Sequence, residues 1–252
     1  TGFTIQNGYA YYGGGIVCGP SNPTISNNII TGNSASMIGG GIYCDNSSPT
    51  IINNIISGNQ CSEGHEKGGG IAVLSSYAII INNTISDNIA GSFGGGIFCA
   101  NDDLQNDSST ISYNTITGNS GYNGGGIWLV ASATVSNNTI SGNHASGAFG
   151  EGGGIYCAGS TISPTFAHNT ISGNSAAWGG GIWCSSDTGT AIINNTITGN
   201  SAYIRGGGLY YASSSNPTIT NNIFWADSAP ENMEVYLGAS PAVITYCDVQ
   251  GG

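Results

Sequence analysis

Carboxylates are the first residues to weigh, because the chain has 13 acidic residues and only 2 basic ones. Cleaving a glycosidic bond generally takes two carboxyl groups about 5 to 9.5 Å apart. Abstracting a proton from a uronate takes a base, with a cation or calcium ion to hold the sugar acid. The acids near the aromatic row described below are Asp45, Glu151 and Asp187, with Glu66 in a long loop. None pairs with another across adjacent repeats. The cations Lys67 and Arg205 stand five repeats apart, roughly 24 Å at the rise of stacked strands, so they cannot share one small site. No catalytic constellation emerges, and an enzyme is not the first expectation.

Metal chemistry has two candidate places. The run Asn101, Asp102, Asp103, Asn106 and Asp107 concentrates oxygens, so Asp102, Asp103 and Asp107 are candidate Ca²⁺ ligands. Their spacing is not that of an EF-hand, and a solvated acidic loop is the competing reading. Cys61, Glu63, His65 and Glu66 share the loop from Asn59 to Lys67, yet their spacing matches no standard zinc pattern. The histidines are isolated from one another and form no metal triad. Of 7 cysteines, Cys18, Cys44, Cys99, Cys157 and Cys184 recur at one repeat position, where Val73 and Leu129 also occur. Exchange with aliphatic residues marks them as small apolar filler.

Recognition is the remaining chemistry. One position reads Val17, Tyr43, Ala72, Phe98, Trp128, Tyr156, Trp183, Tyr210 along the chain. The segment before it adds Tyr9, Tyr11, Tyr12, Phe93, Tyr122, Phe149, Trp178 and Tyr203. A contiguous stripe of rings usually marks an interaction surface. Rings in a row suit the faces of successive sugars, so Tyr43, Phe98, Trp128, Tyr156, Trp178, Trp183 and Tyr210 are the expected ligand-binding residues. The competing readings are a partner protein, or rings that stack to stabilise a sheet.

What positions these residues is a repeat. Three glycines followed by an aliphatic residue occur eight times, ending in Ile16, Ile42, Ile71, Ile97, Ile127, Ile155, Ile182 and Leu209. A second landmark, an apolar residue before a Gly-Asn corner, recurs from Ile5 to Val249 about every 27 residues, the length of a β-solenoid coil. Each repeat reads as three short strands with apolar and polar residues alternating. They are a Gly-Gly-Gly-Ile-x-Cys segment, a Pro-Thr-Ile segment and an Asn-x-Ile-Ser/Thr-Gly-Asn segment. Stacked coils put equal positions one above another. The second Asn of each Asn-Asn pair (Asn28, Asn54, Asn83, Asn114, Asn138, Asn169, Asn195, Asn222) is then expected to form a buried ladder, since a buried amide needs partners.

Composition bounds the rest. Charged residues are 6% of the chain against 39% apolar, and the net charge is -11. An acidic chain with two cations cannot build a phosphate-neutralising patch, so nucleic acid is not an expected partner. No apolar run reaches the length of a membrane span, so membrane insertion is not expected. Threonine and serine flank the third-strand isoleucine too irregularly for an ice-binding face. The repeat runs from end to end, so residues 1–252 are read as one domain. It lacks caps at both ends, which suggests a piece of a longer chain or end-to-end self-association.

The Gly-Gly-Gly-Ile and Ile-x-Asn-Asn elements (Ile25 to Asn28, for example) resemble the right-handed parallel β-helix repeat family, the pectate-lyase-like superfamily in the broad sense. With Phe166-Ala167-His168-Asn169 they are also similar to the Gly-Gly-x-Ile and Phe-x-x-Asn repeats of chlamydial polymorphic membrane proteins, which are surface adhesins. The resemblance implies an all-β, right-handed parallel β-helix of about nine coils. It also implies an extracellular or cell-surface, non-enzymatic module that binds polysaccharide or a surface protein. No cofactor is expected beyond the candidate Ca²⁺. The alternatives are a polysaccharide lyase, glycoside hydrolase or epimerase of that superfamily, and a structural spacer or filament unit.

Overall fold

The computed structural model describes residues 2–61, 66–100, 108–159, 161–186, 189–212, 215–231, 233–238 and 242–250. They contain strands and turns and no helix, hence none long enough to cross a membrane. Every paired strand is parallel to its neighbours one coil away, as in Ile42↔Ile71↔Ile97 and Ile30↔Ile56↔Ile85. The chain is a parallel β-solenoid.

Four sheets line the solenoid, not the three expected. Sheet A runs from Thr4–Gln6 to Asp248–Val249, sheet B from Tyr9–Tyr12 to Ser201–Arg205, sheet C from Ile16–Cys18 to Val235–Leu237, and sheet D from Thr24–Ser26 to Val243–Thr245. Among the described residues eight coils carry a strand in all four sheets, and a ninth carries one in A, C and D. Sheet B is the addition. Its strands, such as Ser34–Ile38 and the two-residue Gln60–Cys61, lie where the sequence read as a loop entering the triplet glycine. Four of the sheet's eight strands are two residues long, too short to show alternation, and Ser and Ala recur throughout.

The interior is built of columns. Ile30, Ile56, Ile85, Ile116, Ile140, Ile171 and Ile197 stack on sheet A with no solvent exposure. Each such side chain contributes about 1.5–3 kcal/mol by leaving water. Cys44, Cys99, Cys157 and Cys184 are equally buried among aliphatic side chains, and all seven cysteines are free. They fill volume as their exchange with Val73 and Leu129 implied.

Two asparagine ladders run up the coil. The expected one stands at the D–A corner, where each amide bonds the next; Asn83 Nδ2 donates to Asn114 Oδ1 at 3.0 Å and to the Ile51 carbonyl at 2.9 Å. The residue before it takes positive φ, as at Asn82 and Tyr113. Asparagine tolerates that conformation best among residues with a Cβ, which accounts for the Asn-Asn pair. A second ladder fills the A–B corner: Asn33, Asn59, Asn88, Asn119, Asn143, Asn174 and Asn200, all 0% exposed. Asn119 shows the pattern. Its N and Nδ2 donate to Asn143 Oδ1 at 3.0 and 2.9 Å, and Nδ2 also donates to the Ile85 carbonyl at 3.0 Å. The Gly-Asn corner was legible as a turn; the stacked interior role of its Asn was not.

The last rung of this ladder is an acid. Asp227 Oδ1 accepts from Asn200 N and Nδ2 at 2.7 and 2.8 Å, and no hydrogen-bond donor among the described residues reaches the buried Oδ2. The buried Glu234 lies beside it, and its Oε2 accepts from Asp227 N at 3.4 Å. Burial first, then Glu234, push the Asp227 carboxyl up to about 7, against the pull of the Asn200 bonds.

Two outcomes follow from the ladder. Replacing Asn119 by Ala orphans groups on both neighbouring rungs, at about 1–3 kcal/mol each. Urea unfolding of N119A is expected to lose ~3 kcal/mol or more, whereas the exposed Thr139→Ala loses under about 0.5 kcal/mol; equal losses would refute the role. The Asp227 carboxyl has a folded pKa above its unfolded value. Its stabilising contribution is therefore full at low pH and is lost as pH rises toward and through about 7. Exchange protection of the Asn200 and Ser228 amides, corrected for intrinsic rates, is expected to fall between pH 5 and 8. Asp227→Asn, which completes the ladder, is expected to abolish that fall; protection independent of pH in the parent would contradict it.

Candidate functional site

The aromatic row sits just after the triplet glycine, on the outer surface of sheet C. The triplet is dictated by close approach. The first glycine has positive φ (68° at Gly68, 65° at Gly179). The third leaves no room for a side chain: a Cβ on Gly96 would stand 2.7 Å from the Gly126 carbonyl and 3.1 Å from the Asn119 amide. The chain thus turns sharply against the asparagine ladder. Side chains at the B–C corner then pack against outward side chains of sheet C, as Phe93 does on Trp128 (ring centroids 5.2 Å) and Trp178 on Tyr210 (5.3 Å). Ile38, Ala72 and Phe98 form a second apolar cluster on this outer side, flanked by Met37, Tyr43, Phe93 and Trp128.

The rings form a continuous column. Phe98 and Trp128 stack at 4.6 Å and 7°, Trp128 and Tyr156 at 5.6 Å and 3°, Tyr156 and Trp183 at 4.6 Å and 2°, Trp183 and Tyr210 at 6.4 Å and 3°, and Tyr210 and Tyr236 at 4.5 Å and 20°. Tyr43 stacks on Tyr12 at 5.2 Å below the gap left by Ala72. Ring faces therefore meet other ring faces, and edges point outward. Phe98, Trp183 and Tyr210 are 1%, 8% and 7% exposed, while Tyr43, Trp128, Tyr156 and Trp178 are half-buried. The expected presentation of ring faces to sugars is corrected here: in-register parallel strands put identical positions face to face, so the faces cover one another. Desolvation first, then Asp45, raise the Tyr43 hydroxyl to about 12; desolvation chiefly raises Tyr156.

Both cations serve this column. Lys67 Nζ lies 5.3 Å from the Phe98 ring centroid. Arg205 lies 5.5 Å from the Tyr236 ring and pairs with Glu231 at 2.6 Å. Three indole N–H groups, on Trp128, Trp178 and Trp183, are buried without an acceptor among the described residues.

Exposed rings lie alongside, on sheet B and its loops. Tyr122, Phe149 and Tyr203 are 43%, 67% and 54% exposed. The loop carrying Phe149 is pinned: Tyr203 Oη donates to the Gly147 and Ala148 carbonyls at 2.9 and 2.7 Å, and Gly150 N donates to Gly147 O at 2.8 Å. The Tyr122 ring packs so closely on Gly147 that a Cβ there would stand 2.7 Å from it. Two residues on, the half-buried Glu151 pairs through its backbone with Trp178, and burial raises its carboxyl. These rings were visible in the sequence as members of the stripe; their separation into exposed and stacked sets was not.

The acids do not assemble here. Asp45 lies beside Tyr43, Glu66 is buried at the corner before Lys67, and Asp227 with Glu234 lies at the ladder's end. Asp187 and the candidate calcium ligands Asp102, Asp103 and Asp107 lie outside the described residues. Among the described residues no three His, Cys, Asp or Glu gather as a metal site.

A family model described as right handed beta helix region matches residues 1–197 and 149–251. No curated protein and no solved structure matches the chain.

The stacked column is expected to be structural. Trp183→Ala removes a buried ring held between two others, which costs about 3 kcal/mol or more and lowers Tm by roughly 6–12 °C. Phe149→Ala should leave Tm within about 2 °C. A Trp183→Ala variant as stable as the parent, read by calorimetry, would show that the column carries no load.

Proposed function

We propose that this chain, which belongs to the right-handed β-helix family, is a non-catalytic extracellular or cell-surface module that binds polysaccharide along the ridge where sheets B and C meet. The observation that supports it most is the pinned loop presenting Phe149 between Tyr122 and Tyr203. Large rings held exposed by hydrogen bonds lose little conformational freedom on binding, which favours affinity. Behind them the stacked column makes a rigid wall, and the coil rise of about 4.8 Å is close to the length of one sugar unit in an extended chain. The sparsely charged, amide- and hydroxyl-rich surface also supports a role outside the cell, as does the resemblance to surface adhesins. A partner glycoprotein would be met through the same rings.

A polysaccharide-cleaving activity is the second reading, and Glu151 is what favours it. A carboxyl raised by burial is suited to act as a general acid. Burial causes that shift, and among the described residues no second carboxylate is seen to contribute to it, whereas most such reactions use a pair of acids.

Affinity electrophoresis through gels containing single polysaccharides tests the binding reading. The parent is expected to be retarded by at least one, and Phe149→Ala/Tyr203→Ala to lose about tenfold or more in affinity while keeping its fold. The same samples should show no new reducing ends or unsaturated uronate. Unretarded migration in every gel would remove the binding reading, and released ends would install the enzymatic one.

A further inference from the structure

We infer that the ligand taken on this ridge is a neutral polysaccharide, read by a subsite centred on Glu151, and that polyuronates and sulfated glycans are turned away; this rests on the binding role proposed above. The argument begins with charge. The chain has two basic residues, Lys67 and Arg205, and both are already engaged. Lys67 is held over the Phe98 ring, three coils below Glu151. Arg205 is in ion-pair contact with Glu231 and lies over Tyr236. A carboxylated or sulfated sugar needs a cation or a metal ion to offset its charge. On this ridge it would meet Glu151 instead, within the field of a chain whose net charge is -11.

The position of Glu151 supplies the second part. It stands in the corner column between Asn123, whose Oδ1 accepts from Glu151 N at 2.9 Å, and Trp178 in the next coil. It shares a coil with Tyr156, and its charge adds to the burial that raises that hydroxyl's pKa. No salt bridge reaches it among the described residues. A half-buried carboxylate without a cation is poorly placed as a structural element, because burial penalises its charge and nothing nearby compensates. It is well placed to accept hydrogen bonds from two hydroxyls of one sugar, and such bonds to an ionised acceptor are among the stronger ones.

An apolar face completes the set. Two residues before Glu151 the pinned Phe149 offers an exposed ring. The subsite thus combines an acceptor and an apolar face, with neither cation of the chain in contact with Glu151 among the described residues.

The experiment is affinity electrophoresis and calorimetry of the intact chain with a neutral β-glucan and a galactomannan on one side, and polygalacturonate, alginate and a sulfated galactan on the other. At least one neutral glycan is expected to bind about tenfold or more tightly than any acidic one. Glu151→Ala is expected to lose about tenfold in neutral-glycan affinity. Glu151→Gln, which keeps shape and one acceptor, is expected to lose less, and its unchanged melting curve confirms the fold. Glu151→Lys is expected to gain retardation by polygalacturonate. Binding of an acidic glycan as tight as or tighter than the neutral ones overturns this inference while leaving the binding role standing. Neutral-glycan binding unchanged in Glu151→Ala overturns the subsite. No binding to any of the five removes the binding role and this inference together.

Discussion

The amide-to-amide hydrogen bond between asparagines of successive coils is the constraint everything else obeys. Short strands leave register to few side chains, one inward residue in most strands of sheet A. Strands here are three to five residues for the most part, and two in parts of sheet B. The ladders remove the ambiguity. Each rung must place its Oδ1 where the N and Nδ2 of the coil below can both reach it. A slip of one residue would take the ladder amides out of line and leave them unpaired on both sides, at a cost of about 1–3 kcal/mol per group. With two ladders at two corners, sheet A is clamped at both ends, and sheets B and D inherit its register.

The aromatic column is a consequence of that register. Because Phe98, Trp128, Tyr156, Trp183 and Tyr210 stand at one position of successive coils, their rings have no choice but to lie over one another. The glycine triplet then lets the corner side chains close on the column from one side. Stacking and burial make it a wall rather than a landing surface. The free ring area is transferred to the loop at Phe149 and to Tyr122 and Tyr203, where the coil is not regular. Function on a solenoid belongs to such departures from the repeat, since the repeat itself is committed to packing.

Periodicity made the coil length, the inward isoleucine and cysteine columns, and the first asparagine ladder legible from residues alone. Each of these is a residue type recurring at a fixed spacing, and stacking is the only arrangement that gives it a use. Sheet B stayed hidden because two-residue strands such as Gln60–Cys61 carry no alternation. The second ladder stayed hidden because Gly32-Asn33 is sufficiently explained as a turn, so nothing demanded a further role for Asn33. The stripe was found, but its orientation was not: alternation tells inward from outward, whereas exposure of Trp183 depends on how tightly Gly179 to Gly181 fold the chain back upon itself. Asp227 was passed over for a related reason. Its meaning lies in replacing an asparagine at a rung whose importance the sequence did not advertise, and in meeting Glu234 seven residues on in the same coil.

Hydroxyl-radical footprinting of the free chain, with and without a saturating neutral glycan, tests the partition of rings most directly. The account requires Phe149, Tyr203 and Tyr122 to be oxidised readily in the free chain and protected by glycan, while Phe98, Trp183 and Tyr210 remain unlabelled in both. Ready oxidation of Phe98 or Trp183 in the free, folded chain would mean that the rings do not cover one another, and the register-driven column would have to be abandoned.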